Sequence, residues 1–351
     1  MKKAFAVLLS AVMLVGCSSS TTATATATPA ASAEATTETA AGSVKVGIGS
    51  TTGINASDAT ADKDGSIQVN TTVAAVAVNA DGTIAWVKFD VAQNSGKFDT
   101  KGVITSEDTG SYPTKVEKGA DYGMAGTSPI KKEWFEQVAA LETYSVGKTV
   151  DEVINMATVT NDEGKIIADV EDLKTSCTIG IGDLLSALSA ANDNAVEVTG
   201  AATYGMGIST SMSFKDATAD KEGSVQSNVT YDVTAMDADG KIVYTYLDVA
   251  QNSGKFDAAG AVTASDAAKT KKAKGTEYGM AGTSPIKKEW DEQAAAFEAY
   301  VVGMTADDVK NIAVTANDEG SNTVNDLTTS CTIGADSFMA AVESVMGNAS
   351  K

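Results

Sequence analysis

The reactive side chains of this sequence concentrate in two strings, Asp172-Leu173-Lys174-Thr175-Ser176-Cys177-Thr178 and Asp326-Leu327-Thr328-Thr329-Ser330-Cys331-Thr332, each with a carboxylate, hydroxyls and one thiol side by side. A thiol or hydroxyl becomes a catalytic nucleophile only beside a base or in an electropositive setting. The chain has no histidine and no arginine, and its formal net charge is −20. Ser-His and Cys-His pairs, imidazole metal sites, His-ligated haem and guanidinium clamps are therefore excluded. Nothing depresses the thiols, so Cys177 and Cys331 read as small buried hydrophobes. Nucleic acid is not an expected partner, because phosphate binding needs a basic surface.

The two strings belong to a tandem repeat. DATADKDGS at 58–66 returns as DATADKEGS at 216–224, DVAQNSGKFD at 90–99 returns unchanged at 248–257, and YGMAGTSPIKKEW at 122–134 returns at 278–290. The repeats are placed at 43–193 and 201–348, joined by a short polar stretch near 194–200. Aromatic residues are only 6% of the chain, so the repeated Tyr122, Trp134, Tyr278 and Trp290 stand out, with Met124 and Met280 beside them.

Within each repeat the pattern is α+β, a mainly antiparallel sheet covered by helices. Asp81-Gly82 and Asp239-Gly240 sit between β-rich runs and predict hairpins. Ala85, Val87, Phe89 and Val91 fall on one strand face, Lys88 and Asp90 on the other. Ser128-Pro129 predicts a helix cap followed by Ile130, Trp134, Val138 and Leu141 at helical spacing, and Ser284-Pro285 repeats it. Further helices are expected over 149–156 and from about Asp183. The acidic 58–66 loop lacks the further oxygen ligands of an EF-hand and reads as a solvated turn.

At the N-terminus Lys2 and Lys3 precede an apolar run, too short to span a bilayer but suited to a signal peptide at 1–16. Leu14-Val15-Gly16-Cys17 resembles the lipobox of bacterial lipoproteins, which implies acylation of Cys17, as with palmitate, and an extracellular, lipid-anchored protein on the cell membrane. Residues 17–42 are nearly all Ser, Thr and Ala and read as a flexible tether reaching about 25–30 Å.

The strings ending at Thr178 and Thr332 resemble the flavin-attachment motif of the FMN-binding domain family, in which an Asp is followed by a hydroxyl residue at +3 and by a Thr at +6 esterified to the FMN phosphate. The resemblance implies covalent FMN at Thr178 and Thr332, with Asp172, Thr175, Ser176 and Cys177, and Asp326, Thr329, Ser330 and Cys331, completing the motifs. Gly180 and Gly334 would let helix-start amides approach the phosphate. Tyr122, Met124 and Trp134, with Tyr278, Met280 and Trp290, are candidate ring partners, and each is as readily a core residue. A second string, Asp121 to Thr127, ranks behind this one because Met124 occupies its +3 position.

The two-domain lipoprotein layout is similar to flavin lipoproteins of Gram-positive extracellular electron transfer, of the pheromone-encoding type. That implies an electron carrier rather than an enzyme with its own substrate. Its implied partners are a flavin transferase, a quinol-linked membrane donor and an extracellular acceptor such as ferric iron. The alternatives are a lipoprotein that binds another ligand or a surface-interaction wall protein.

Overall fold

The computed structural model describes residues 42–317 and 320–348; the signal segment, Cys17 and the tether up to residue 41 lie outside the described residues. The first repeat opens with three long strands, β1 (Val44–Ser57), β2 (Gly65–Val78) and β3 (Ile84–Phe98). Helices α1 (Lys115–Lys118), α2 (Trp134–Ser145) and α3 (Val150–Ile154) follow, then the hairpin β4 (Thr158–Thr160) and β5 (Ile166–Ala168), helix α4 (Gly182–Asp193) and strand β6 (Val196–Val198). The second repeat runs β7 (Thr203–Lys215), β8 (Gly223–Met236), β9 (Ile242–Phe256), β10 (Val262–Ala264), α5 (Lys271–Lys274), α6 (Trp290–Val301), α7 (Ala306–Lys310), β11 (Val314–Ala316), β12 (Asn322–Val324) and α8 (Asp336–Asn348). The two large sheets are antiparallel, in the orders β3-β2-β1-β6 and β10-β9-β8-β7. The architecture is thus α+β. Strand β6 lies in the segment read as a joint and edges the first sheet.

Alternation along β2 explains the layering. Ile67, Val69, Val73, Ala75 and Ala77 point one way and pack with the second sheet through Val225, Val229, Tyr231, Val233 and Ala235. Strand positions between them point to the helices: Ala74, Val76 and Val78 bury against Trp134, Leu141, Leu184 and Leu188. The two repeats therefore share one interior between their sheets, where Phe98 and Phe256 stack with centroids 3.9 Å apart. Asp90, expected on a polar face, is only 7% exposed, with its carboxylate accepting the Val116 amide at the start of α1.

The acidic loops clasp the two repeats together. Asp58 Oδ1 accepts from the Val262 amide and Asp216 Oδ1 from the Ile104 amide, each at 2.8 Å. Glycine permits the closest helix approach: a Cβ on Gly47 would strike the backbone of Ala191 in α4, and one on Gly207 that of Ala341 in α8.

Helices α2 and α6 begin later than Ser128-Pro129 and Ser284-Pro285 suggest. Lys131 and Lys287 sit at positive φ, 54° and 55°, which breaks the helical path after the prolines. Ile130 is consequently outside the helix, and Trp134 and Trp290 are its first residues. The helices expected over 149–156 and near Asp183 are α3 and α4.

Candidate functional site

Thr178 is placed by its neighbours. Leu173 and Cys177 are each 1% exposed, and the Cys177 amide donates to Leu173 O at 2.8 Å, so this turn is pinned into the core. Burial pushes both the Cys177 and Cys331 thiols up to about 11, which makes them inert apolar anchors. The turn then delivers Thr178 half-buried, with its amide and Oγ1 both donating to Gln137 Oε1 at 2.9 and 3.2 Å. Thr332 makes the same pair with Gln293 Oε1 at 2.8 and 3.2 Å.

Gln137 is fully buried on α2, one turn after Trp134. Its Nε2 donates to Ser128 Oγ at 3.1 Å and Lys132 O at 3.0 Å, and lies 3.5 Å from Met124 Sδ. One amide thus ties together the Thr178 string, the Ser128 turn and the Met124 turn; Gln293 repeats it with Ser284, Lys288 and Met280. Glu133 adds a second tie, its carboxylate accepting the amides of Met124 and Ala125 at 2.8 and 3.0 Å.

Around Thr178 lies a cleft of about 800 Å³ bordered by Tyr122, Met124, Trp134, Thr178 and Gly180. These five residues come from three separate stretches of the first repeat. Trp134 is 3% exposed, so it is a core residue that also borders the cleft. Asp172 and Thr175 are exposed on the outer side of the turn, Ser176 Oγ donates to Asp172 O at 3.1 Å, and Cys177 is in the core; none of the four borders the cleft. In the second repeat Thr329 is likewise exposed, Ser330 Oγ donates to Leu327 O at 3.3 Å, and Asp326 accepts from Tyr300 OH at 2.8 Å. Thr127, of the second-ranked string, also reaches the cleft, with its hydroxyl given to Met124 O at 3.2 Å.

Lys115 is a cleft cation that no motif or spacing in the sequence marks. Its Nζ is 5.2 Å from the Tyr122 ring centre and 5.3 Å from that of Trp134; Lys271 stands 5.1 and 5.2 Å from Tyr278 and Trp290. Burial pushes each ammonium down to about 8. Buried carboxylates hold the helical turns that carry them: Asp90 Oδ1 accepts the Val116 amide at 3.1 Å, and Asp248 Oδ1 the Lys272 amide at 3.0 Å.

The floor is the part of the sheet that the helices leave bare. Gln68, Asn70 and Thr72 precede Ala74 on the same face of β2, and Gln93 joins them from β3. Asn70 Oδ1 is buried without a hydrogen-bond partner. The corresponding Asn228 Oδ1 accepts from Gln226 Nε2 and Gln251 Nε2, both at 3.0 Å. The signal was present as polar residues at i, i+2 and i+4 on a strand face whose continuation is apolar.

Helix α4 opens at the cleft with Gly182, Asp183 and Leu184, and its N-cap, Ile181, offers no side-chain acceptor. Its first amides are therefore open to an anion, with Asp183 opposing that charge. Gly180 packs beside Lys165, whose Cβ would lie 3.4 Å from an added Cβ; Gly334 packs tighter, with Ser321 Cβ at 2.9 Å. Lys165 also borders the cleft, paired to Glu163 at 2.7 Å.

Among the described residues there is no cluster of three or more metal-ligating side chains, and no helix is long and apolar enough to cross a membrane. Comparison with family models, curated proteins and solved structures found no match to this chain.

Proposed function

We propose that this chain is a lipid-anchored extracellular electron carrier holding one FMN per repeat, esterified through its phosphate to Thr178 and Thr332. The observation that carries the reading is the convergence of Thr178, Gly180, Tyr122, Met124 and Trp134 on one cleft of about 800 Å³, within the ordinary range for ligand sites. The donor set suits the group: a threonine hydroxyl for the ester, Lys115 and open helix amides for anionic charge, aromatic and thioether edges for a flat ring, and an unpaired amide carbonyl on the floor.

Gln137 accepts the Thr178 hydroxyl proton in a hydrogen bond, which leaves the oxygen lone pairs free and fixes the side chain at the cleft wall. Lys115 offsets negative charge in a protein whose overall field repels anions. Asp172 and Thr175 are exposed, where a flavin transferase would have access to them. Bound FMN supplies two-electron acceptance with one-electron release. Electrons would pass from a quinol-linked membrane donor to an extracellular acceptor such as ferric iron.

The test is co-expression with a flavin transferase followed by peptide mass analysis. FMN mass on the peptides containing Thr178 and Thr332, lost in Thr178→Val and Thr332→Val, supports the reading. Bare threonines would favour a binding lipoprotein for another ligand.

A further inference from the structure

We propose that the amides on the cleft floor of the first repeat, Gln68, Asn70 and Gln93, recognise the imide edge of a planar heterocycle, with Asn70 Oδ1 taking its N–H. The inference rests on the FMN reading and deepens it, since an isoalloxazine presents one N–H between two carbonyls.

The two repeats hold the same three amides in two arrangements. In the second, Asn228 Oδ1 is saturated by the Gln226 and Gln251 amides at 3.0 Å each. In the first, Asn70 Oδ1 is buried with no partner, and Gln93 Oε1 instead accepts from Tyr122 OH at 3.4 Å. A buried carbonyl oxygen in a cleft is ordinarily paired, so the open arrangement is short of one donor. A ligand N–H supplies it, while the Gln68 and Gln93 amide N–H groups, withdrawn from Asn70, are free to serve the flanking ligand carbonyls. Lys115 and Trp134 border the same cleft, beside the space a flat ring would occupy. Ligand N–H binding at Asn70 thus replaces the intramolecular donors seen at Asn228.

Full-length Thr178→Val/Thr332→Val protein, unable to form the esters, is titrated with riboflavin and with 3-methylriboflavin, following quenching of flavin fluorescence. The expected result is about tenfold tighter binding of riboflavin. Asn70→Leu should abolish that preference at the first-repeat site, whereas Asn70→Asp, which keeps an acceptor, should retain it; melting curves identify any variant that has unfolded. Equal binding of the two flavins, or a preference untouched by Asn70→Leu, overturns the inference while esters found on the native threonines would leave the FMN reading standing. Failure of both flavins to bind overturns the inference, and bare threonines in the native protein overturn the FMN reading as well.

Discussion

Gln137 Oε1 accepts hydrogen bonds from both the amide and the hydroxyl of Thr178, across 41 positions of sequence. Because Gln137 is fully buried, this contact fixes where the hydroxyl stands relative to the cleft. Gln137→Leu removes the acceptor and strands the Thr178 amide. The expected loss is about 2–3 kcal/mol of unfolding free energy in urea, with FMN loading at Thr178 lowered and loading at Thr332 unchanged. Unaltered stability together with full loading would show that Gln137 does not position the threonine.

A relocated lysine gives a second prediction. Glu142 pairs with Lys88 from strand β3 at 2.8 Å, whereas Glu298, its counterpart, pairs with Lys272 from helix α5 at 2.5 Å. Lys272 corresponds to Val116, and Tyr246 to Lys88. Lys88→Met should destabilise by about 1–2 kcal/mol, a value discounted for the partial exposure of the lysine. Adding Val116→Lys should restore at least half of it, read by denaturant midpoint; no rescue would mean that Glu142 does not depend on a cation.

Much of this fold was legible in the sequence because alternation and turn chemistry are local. The hairpins at Asp81-Gly82 and Asp239-Gly240 and the helix after Thr178 follow directly from such patterns. What was not legible was the packing of one sheet on the other. Lys88 and Asp90 look like one solvent face, yet Lys88 stays partly exposed and pairs with Glu142 while Asp90 is buried against the turn at 114–116, a contact set by residues distant in sequence. The site divided in the same way: Thr178, Tyr122, Met124 and Trp134 stood out by repetition, while Gln137 and Lys115 gain meaning only from distant neighbours. The outward Asp172 and Thr175 show that a continuous string need not line one cavity.

Buried acids set a pH dependence. Burial pushes the Asp90 carboxyl up to about 6 and raises Asp248 and, further, Asp232. A folded value above the unfolded one gives stability that is complete below about pH 4 and is lost as pH rises through the folded value. Asp90 alone should lower unfolding free energy by on the order of 2–3 kcal/mol between pH 4 and pH 7. Urea unfolding at both pH values checks this, and a flat profile that persists in Asp90→Asn would contradict it.

Asp232 is fully buried, with Oδ1 unpaired, where the first repeat has Ala74. Asp232→Ala should therefore stabilise the protein at pH 7 by about 1–3 kcal/mol, since Thr234 keeps its bond to Thr245. A lower melting temperature at that pH would reverse the assignment.

The shared interior predicts that one repeat is not self-sufficient. A chain ending at Gly200 leaves Val69, Val73, Ala75 and Trp86 without the second sheet. It should dimerise through that face or aggregate in sedimentation experiments; a stable, folded monomer would show that the sheets need no partner.

The most direct test of the central claim is intact-peptide mass analysis of protein taken from its native membrane. The account expects an FMN phosphoester on Thr178 and another on Thr332; unmodified threonine at both positions would contradict it.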